Sequence, residues 1–405
     1  MPVFSQTYCI ENRFNQSYFN SDQIEVIANI EYGNAINYLE ENQKLKLDLY
    51  RPLPAIDDLE KKPLIIFIHG GGLLGGSSST AYAQFLGEEY AMRGFVFASI
   101  DYRLGWNNLE NCEGDTLSLQ LAFYRAIQDT RAAIRFLKHA HNIYGIDTNY
   151  IFLNGFSVGS SVAFYTAYAT QGNYYPYQYS SLGSIDSSGN PYYNHSIDIQ
   201  GIIGKSTGID TTSILDNADI PAMLFHGTCD SVVIYDTGPL YNCYTPVAYM
   251  FYHGSRDIAD TMNAKGIAYQ LYTNEGLAHD AVSNDTLILY SSAFLKDILC
   301  NSLLPAEYYR KITDNCAPVQ DAIKNIRPNP FHNYFQINVL TNESATMYVH
   351  LYNSIGQQVI ARSYYVTYPN AVLTIDVSNV PLATGVYILQ TEISGRVETF
   401  LLVKD

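Results

Sequence analysis

Four short apolar runs constrain the fold of this chain more than any other feature. "PLIIFIHG" (63–70) and "FVFASID" (95–101) carry hydrophobic residues at successive positions, not at alternate ones. Such runs suit central strands covered on both faces, the setting of a parallel sheet. "YIFLNG" and "PAMLFHG" have the same character, "IQGIIGKS" and "IAYQLYT" add two further strands, and "KLKLDLY" alternates as a half-buried strand. Helical patterns lie between them, over Ala81–Arg93, Leu117–Tyr144, from Val158, near Val247–Ala264 and over Asp285–Asn301. Strand–helix alternation of this kind predicts an α/β fold with a mainly parallel sheet.

The 405 residues suit two domains, and a hydrophobic content of 47% is enough to build real cores. After Cys316 the alternation of helix and strand stops. "APVQDAIKNIRPNPF" reads as a linker, and "YFQINVL", "TMYVHLYN", "AVLTIDV", "VYILQTEI" and "ETFLLVK" then alternate as short strands separated by turns such as Ser354-Ile355-Gly356. The expected organisation is a catalytic α/β domain over 1–316, a linker over 317–328 and a small all-β sandwich over 329–405. Within the first domain, 172–198 breaks the rhythm with six tyrosines and two prolines. It reads as an insertion of the kind that serves as a lid or binding loop.

A net charge of −16 would repel a phosphate backbone, so nucleic acid is excluded as a partner. No apolar stretch approaches the length of about 18 residues that a transmembrane segment needs. "MPVFSQTYCIENRF" lacks the charged and apolar regions of a signal peptide, so either the signal has been removed from this chain or export has to be argued from other features. Six cysteines, none in a C-x-x-C pair, favour disulfides over zinc or dithiol chemistry. Proximity in sequence suggests Cys229–Cys243, Cys300–Cys316 and Cys9–Cys112. His139 and His141, two apart on a helix, diverge and make a poor metal pair. No metal or cofactor is expected.

"YIFLNGFSVGSSVA" places Ser157 between two glycines where an apolar strand must turn into a helix. That context gives G-x-S-x-G its meaning: a strained turn projects the hydroxyl above the sheet, and the N–H of Val158 lies beside it at a helix N-terminus. A serine hydroxyl needs a neighbouring base, and the base needs an acid. In the chain order Ser, acid, His, the strand "PAMLFHG" leads to Asp230 and the strand "IAYQLYT" leads to a loop carrying His279. Each candidate therefore follows a strand onto the same carboxyl edge. Asp236 lies farther from its strand end, and Asp280 adjoins the histidine too closely. "IFIHGGGLLGG" adds bare backbone N–H groups at another strand end, as an oxyanion requires. It lacks the Lys-Ser/Thr ending of a phosphate loop. His69 reads as a loop brace, and His226 as support for the acid turn.

His69-Gly-Gly-Gly72, "DYRL" at 101–104, Gly155-Phe-Ser157-Val-Gly159, "HGTCD" ending at Asp230, and His279 together resemble an α/β-hydrolase carboxylesterase of the HGGG type. The carboxylesterase, hormone-sensitive-lipase and feruloyl or acetyl-xylan esterase branches share that pattern. The resemblance implies acyl transfer through a serine ester, with Gly71, Gly72 and Val158 as oxyanion donors and a small-molecule or polysaccharide-linked ester as substrate. "RPNPF", "LYNSIGQQV" and "LATGVYILQ" through "FLLVKD" are similar to the C-terminal sorting domains of the type IX secretion system of Bacteroidetes. That similarity implies export across the outer membrane, with secretion or cell-surface attachment, and the type IX machinery as partner. The function expected is an exported serine carboxylic-ester hydrolase. A serine peptidase of the same fold and a catalytically inactive hydrolase-fold binding protein are the alternatives; the chain has no room for a propeller, and all three triad positions are filled.

Overall fold

The chain enters its fold on an edge strand that the sequence pattern conceals. β1 (Ile24–Ile36) pairs antiparallel with β2 (Asn42–Pro52), but register shifts at Ile27/Ile30 and Glu31/Gly33 destroy its period-2 alternation. The computed structural model describes residues 8–107, 115–172, 181–216, 219–240, 251–279, 282–303, 306–310, 322–340, 345–366, 370–393 and 396–405. They fall into two units, Met1–Asp314 and Asn315–Asp405.

In the first unit β3 (Lys62–Ile68) leads to α1 (Ala81–Met92), β4 (Val96–Ile100) and α2 (Thr116–His139). The long helix expected to reach Tyr144 is broken at Ala140, and α3 (His141–Tyr144) is a separate turn closed by left-handed Gly145. β5 (Ile146–Phe156), α4 (Val158–Tyr168), β6 (Gly201–Lys205), β7 (Gly208–Ile209), β8 (Ala222–Gly227) and β9 (Thr237–Pro239) follow. Of the helix expected near Val247–Ala264, residues 247–250 lie outside the described residues, Phe251–Gly254 is the strand β10, and α5 (Ser255–Lys265) follows. Gly254 permits the close approach at the end of β10: a Cβ there would lie 1.9 Å from the Ile234 carbonyl. β11 (Tyr269–Asn274), α6 (Asn284–Leu299) and β12 (Ala306–Arg310) complete the unit.

Among the described residues the main sheet has nine strands in the order β1-β2-β4-β3-β5-β6-β8-β11-β12. From β4 to β12 every neighbouring pair is parallel. Successive side chains of β3 divide between two cores. Leu64, Ile66 and Ile68 join the α2, α4 and α5 side, and Ile65 and Phe67 join the α1 and α6 side. Burying each of these is worth about 1.5–3 kcal/mol, which is why a central strand reads as an uninterrupted apolar run.

The described part of the insertion, 181–198, lies against α2 and the edge strand. Tyr124, Gln128, Arg131, Arg135 and Lys138 recur on one helix face and reach Gly183, Leu182 and Ser184, Asp186, Ser188, and Asp198 respectively. Asn34 N–H donates to the Gly189 carbonyl, and the Asn190 amide donates to Tyr32 and Ala132 carbonyls. Tyr192 stacks on His139 at 4.0 Å, and Arg135 lies over the Tyr193 ring. The described stretch is a strap along the helix, and the remainder of the insertion read as a lid or binding loop, 173–180, lies outside the described residues.

The expected cysteine pairs Cys9–Cys112 and Cys300–Cys316 are corrected: Cys9 bonds to Cys300, with Cα atoms 5.5 Å apart across 291 residues. The N-terminal segment crosses α6, where the Lys296 ammonium donates to the Ile10 carbonyl and to Asn15. Cys229 is also disulfide-bonded. Cys243, its expected partner, lies outside the described residues, as do Cys112 and Cys316.

The second unit begins with β13 (Ala322–Arg327), a strand where a linker was expected, and continues through β14 (Tyr334–Leu340), β15 (Ala345–Tyr352), β16 (Gln358–Val366), β17 (Asn370–Asp376), β18 (Gly385–Ile393) and β19 (Arg396–Lys404). Antiparallel sheets β13-β14-β17 and β16-β15-β18-β19 enclose one core around Phe331, Ile337, Val349 and Leu389. The "RPNPF" motif is tied to the last strand: Val403 N–H donates to the Asn329 side chain at 2.8 Å, and Phe331 N–H to the Val403 carbonyl at 2.8 Å.

Candidate active site

Parallel pairing brings the carboxyl ends of β3, β5, β8 and β11 to one edge of the sheet, and the predicted residues stand just beyond them. Ser157, between β5 and α4, has φ 54° and ψ −130°. A non-glycine residue held there costs about 1–3 kcal/mol. Its surroundings enforce the turn. Ser157 N–H donates to the Lys205 carbonyl at 2.8 Å. A Cβ on Gly155 would lie 2.4 Å from the Gly159 carbonyl, and one on Gly159 would lie 2.1 Å from the Ile68 carbonyl. The two flanking glycines let the turn close against α4 and β3.

His279 joins the serine to the acid. Its Nε2 lies 3.0 Å from Ser157 Oγ, and its Nδ1 lies 2.7 Å from Asp230 Oδ2. Both neighbours fix the tautomer: Nδ1 donates to the carboxylate and Nε2 accepts from the hydroxyl. Phe156 stacks against the ring at 5.5 Å. Asp230 is buried, and its Oδ1 accepts the backbone N–H groups of Val232 and Val233 at 2.9 Å each. Its Oδ2 also meets Nε2 of His226 at 3.1 Å. Burial alone would raise the carboxyl pKa; the hydrogen bonds from His226 and His279 hold it well below the ordinary carboxylate range.

The loops carrying acid and base are fastened together. Thr228 N–H donates to the Asn274 carbonyl, Cys229 N–H to the Leu277 carbonyl, and Gly276 N–H to Thr228 Oγ1. A Cβ on Gly227 would lie 2.2 Å from the Leu277 carbonyl. Asp236 is not brought to His279; its carbonyl accepts Gly254 N–H at the small β9–β10 pairing. Asp280 lies outside the described residues.

The glycine loop after β3 turns through φ values of +111° at Gly71 and +64° at Gly72. The Gly71 carbonyl is taken by Leu74 and Gly75 N–H groups, the Gly72 carbonyl by the Trp106 indole at 2.9 Å, and the Leu73 carbonyl by Gly105 N–H. Among the described residues, the N–H groups of Gly71, Gly72 and Val158 find no backbone acceptor. His69 stacks on Tyr102 at 4.3 Å, and the Tyr102 hydroxyl donates to the His69 carbonyl. Burial lowers the His69 pKa. Tyr102 of the "DYRL" segment thus braces this loop, and the buried Arg103–Asp129 pair at 2.8 Å ties the segment to α2. Trp106 went unread in the sequence; its signal is a lone tryptophan two residues beyond "DYRL". No group of three His, Cys, Asp or Glu side chains among the described residues is arranged to hold a metal ion.

Residues 47–217 match the BD-FAE family model, and residues 325–404 match the secretion system C-terminal sorting domain. The chain is similar to gut esterase 1 of Caenorhabditis elegans, 34% identical over 117 residues, covering 29% of this chain and 19% of that protein. It is also similar to the isoprenylcysteine alpha-carbonyl methylesterase of Arabidopsis thaliana, 31% identical over 147 residues, covering 36% of this chain and 28% of that protein. The matches thus span less than a third of these curated relatives' own lengths. Among solved structures, a truncated carbohydrate esterase from gut microbiota aligns at 14% identity and a TM-score of 0.48, covering 70% of this chain and 98% of that one. The chain joins an α/β-hydrolase-fold domain that matches the BD-FAE family to a C-terminal sorting domain that marks it for secretion across the outer membrane.

Proposed function

We propose that this protein is an exported serine carboxylic-ester hydrolase whose nucleophile, base and acid are Ser157, His279 and Asp230. The observation that carries the reading is the continuous hydrogen-bond line from a strained serine through His279 to a buried carboxylate. Ser157 Oγ attacks the ester carbonyl as His279 Nε2 takes its proton, and Asp230 stabilises the imidazolium that results. The oxyanion receives N–H groups from Gly71, Gly72 and Val158, which the bracing of the glycine loop holds in place before reaction. Collapse of the tetrahedral intermediate transfers the proton from His279 to the leaving alkoxide and leaves an acyl ester on Ser157. Water, activated by the same histidine, then releases the acid. The curated relatives named as esterases support this reaction class, and the sorting domain supports the type IX machinery as the export partner.

A fluorophosphonate probe should label Ser157, located by peptide mapping. Ser157→Ala should abolish both labelling and hydrolysis of nitrophenyl acetate, with a loss in kcat on the order of 10⁶. Retention of a tenth of the activity by a folded Ser157→Ala protein would end the proposal.

A further inference from the structure

Asp230 Oδ2 serves two histidines, and only one of them faces the serine. His226, the last side chain of β8 before its closing glycine, is fully buried on the far side of the carboxylate. Its Nε2 lies 3.1 Å from Asp230 Oδ2 and 2.9 Å from the Val233 carbonyl. Both are acceptors, so Nε2 carries a proton. Its Nδ1 lies 2.8 Å from Ser255 Oγ at the start of α5, while the same hydroxyl is 3.5 Å from the Thr207 carbonyl. The shorter contact pairs the hydroxyl with Nδ1 and fixes the orientation of the ring.

We infer that His226 is a positioning residue that sets the basicity of His279 through their shared carboxylate oxygen. The inference rests on the serine-hydrolase reading of the site. Two donors on Oδ2 and two on Oδ1 occupy the lone-pair sites of the carboxylate, so Asp230 cannot rotate away from His279. The N–H of His226 also withdraws negative charge from the oxygen that faces His279. Loss of that donor would leave a fuller negative charge facing His279, so His226 bears on the proton transfer at His279 as well as on its orientation. Ser255 takes part at one remove by fixing the orientation of the His226 ring.

The other titratable or charged side chains around this line are few among the described residues. The Tyr235 ring packs edge-on to His226 at 5.5 Å, and its hydroxyl pairs with Thr273. The Lys205 ammonium lies over the Phe156 ring that stacks on His279. Glu275 stands in the same loop as His279, and Arg256, next to Ser255, pairs with Asp260.

The test uses the full chain and nitrophenyl acetate, with kcat/KM followed over roughly pH 5 to 9, the range in which histidine titrates. His226→Leu should lower kcat/KM about ten- to a hundredfold, the worth of one hydrogen bond to a charged group. It should also move the acid limb of the profile upward by roughly half to one pH unit, because the imidazolium gains a fuller negative charge. His226→Gln, whose amide N–H can reach Oδ2, should restore the limb and most of the rate. Ser255→Ala, which leaves the ring in place, should shift the limb in the same direction by less, and it carries the test if His226→Leu does not fold. A purely structural role would lower the amount of folded enzyme and leave the limb where it is. Wild type that neither reacts with fluorophosphonate nor hydrolyses the ester would bring down the serine-hydrolase reading and this inference with it. Wild type that does both, beside folded His226→Leu or Ser255→Ala protein with an unmoved limb, would overturn the inference alone.

Discussion

At the scale of single residues, the candidate site consists of a few reactive groups and many groups that restrict them. Asp230→Asn keeps the shape of the acid but changes what it can accept, so His279 loses its orienting partner and the stabilisation of its charged form. The expected loss in kcat is about 10⁴-fold, while Asp236→Asn should leave turnover close to wild type. The pH dependence has a definite sign. The folded-state pKa of Asp230 lies below that of an ordinary carboxyl, so its contribution to stability is complete above about pH 4 and is lost only as pH falls through the lower folded value. Thermal melts should therefore show a constant Tm gap between wild type and Asp230→Asn above about pH 5, narrowing in stronger acid. Ser157, Asp230 and His279 were legible because each stands beside a strand end and a glycine or loop signal. Trp106 was not, since its indole acts on a carbonyl of a loop 34 positions away, a contact that no local pattern encodes.

At the scale of elements, α2 departs most from its sequence pattern. Leu121, Tyr124, Ile127, Ala132 and Phe136 suggest one apolar face and one solvated face, yet Gln128, Arg131, Arg135 and Lys138 are buried as well. The strap over 181–198 covers the polar face and supplies acceptors to it. Arg131 donates to the Thr166 and Ala169 carbonyls as well as to Asp186, so Arg131→Met should leave buried carbonyls without a donor. A stability loss of about 2–3 kcal/mol in urea titration is expected, with faster proteolysis within 181–198. Lys138→Met should cost under about 1 kcal/mol, because its partner Asp198 is largely exposed. Equal effects from the two substitutions would contradict the strap as a load on α2. The central strands were legible in the sequence because burial on both faces leaves no room for polar residues. The edge strand β1 was not, because its bulges remove the alternation that marks a strand.

At the scale of the whole molecule, each unit has its own core and its own sheets. A chain ending at Cys316 retains every cysteine, the glycine loop, and Ser157, Asp230 and His279. We expect it to fold and to hydrolyse a small soluble ester at about the wild-type rate, while accumulating inside the producing cell. Kinetics on nitrophenyl acetate, with fractionation of the expressing culture, check both halves. A folded but inactive truncated chain would show that the sandwich contributes to catalysis.

The sequence by itself determined the α/β class, the β character of the tail, and the strand ends from which reactive residues would project. Those features depend on local periodicity and on turns only a few residues long, and the chain carries both kinds of information in order. Only the tertiary structure decided that Cys9 meets Cys300, that residues 181–198 strap α2, and that the Trp106 indole closes on the Gly72 carbonyl. The reason is distance along the chain. These contacts join residues from different elements, and which side chains meet follows from strand order and helix packing, which no stretch of sequence states.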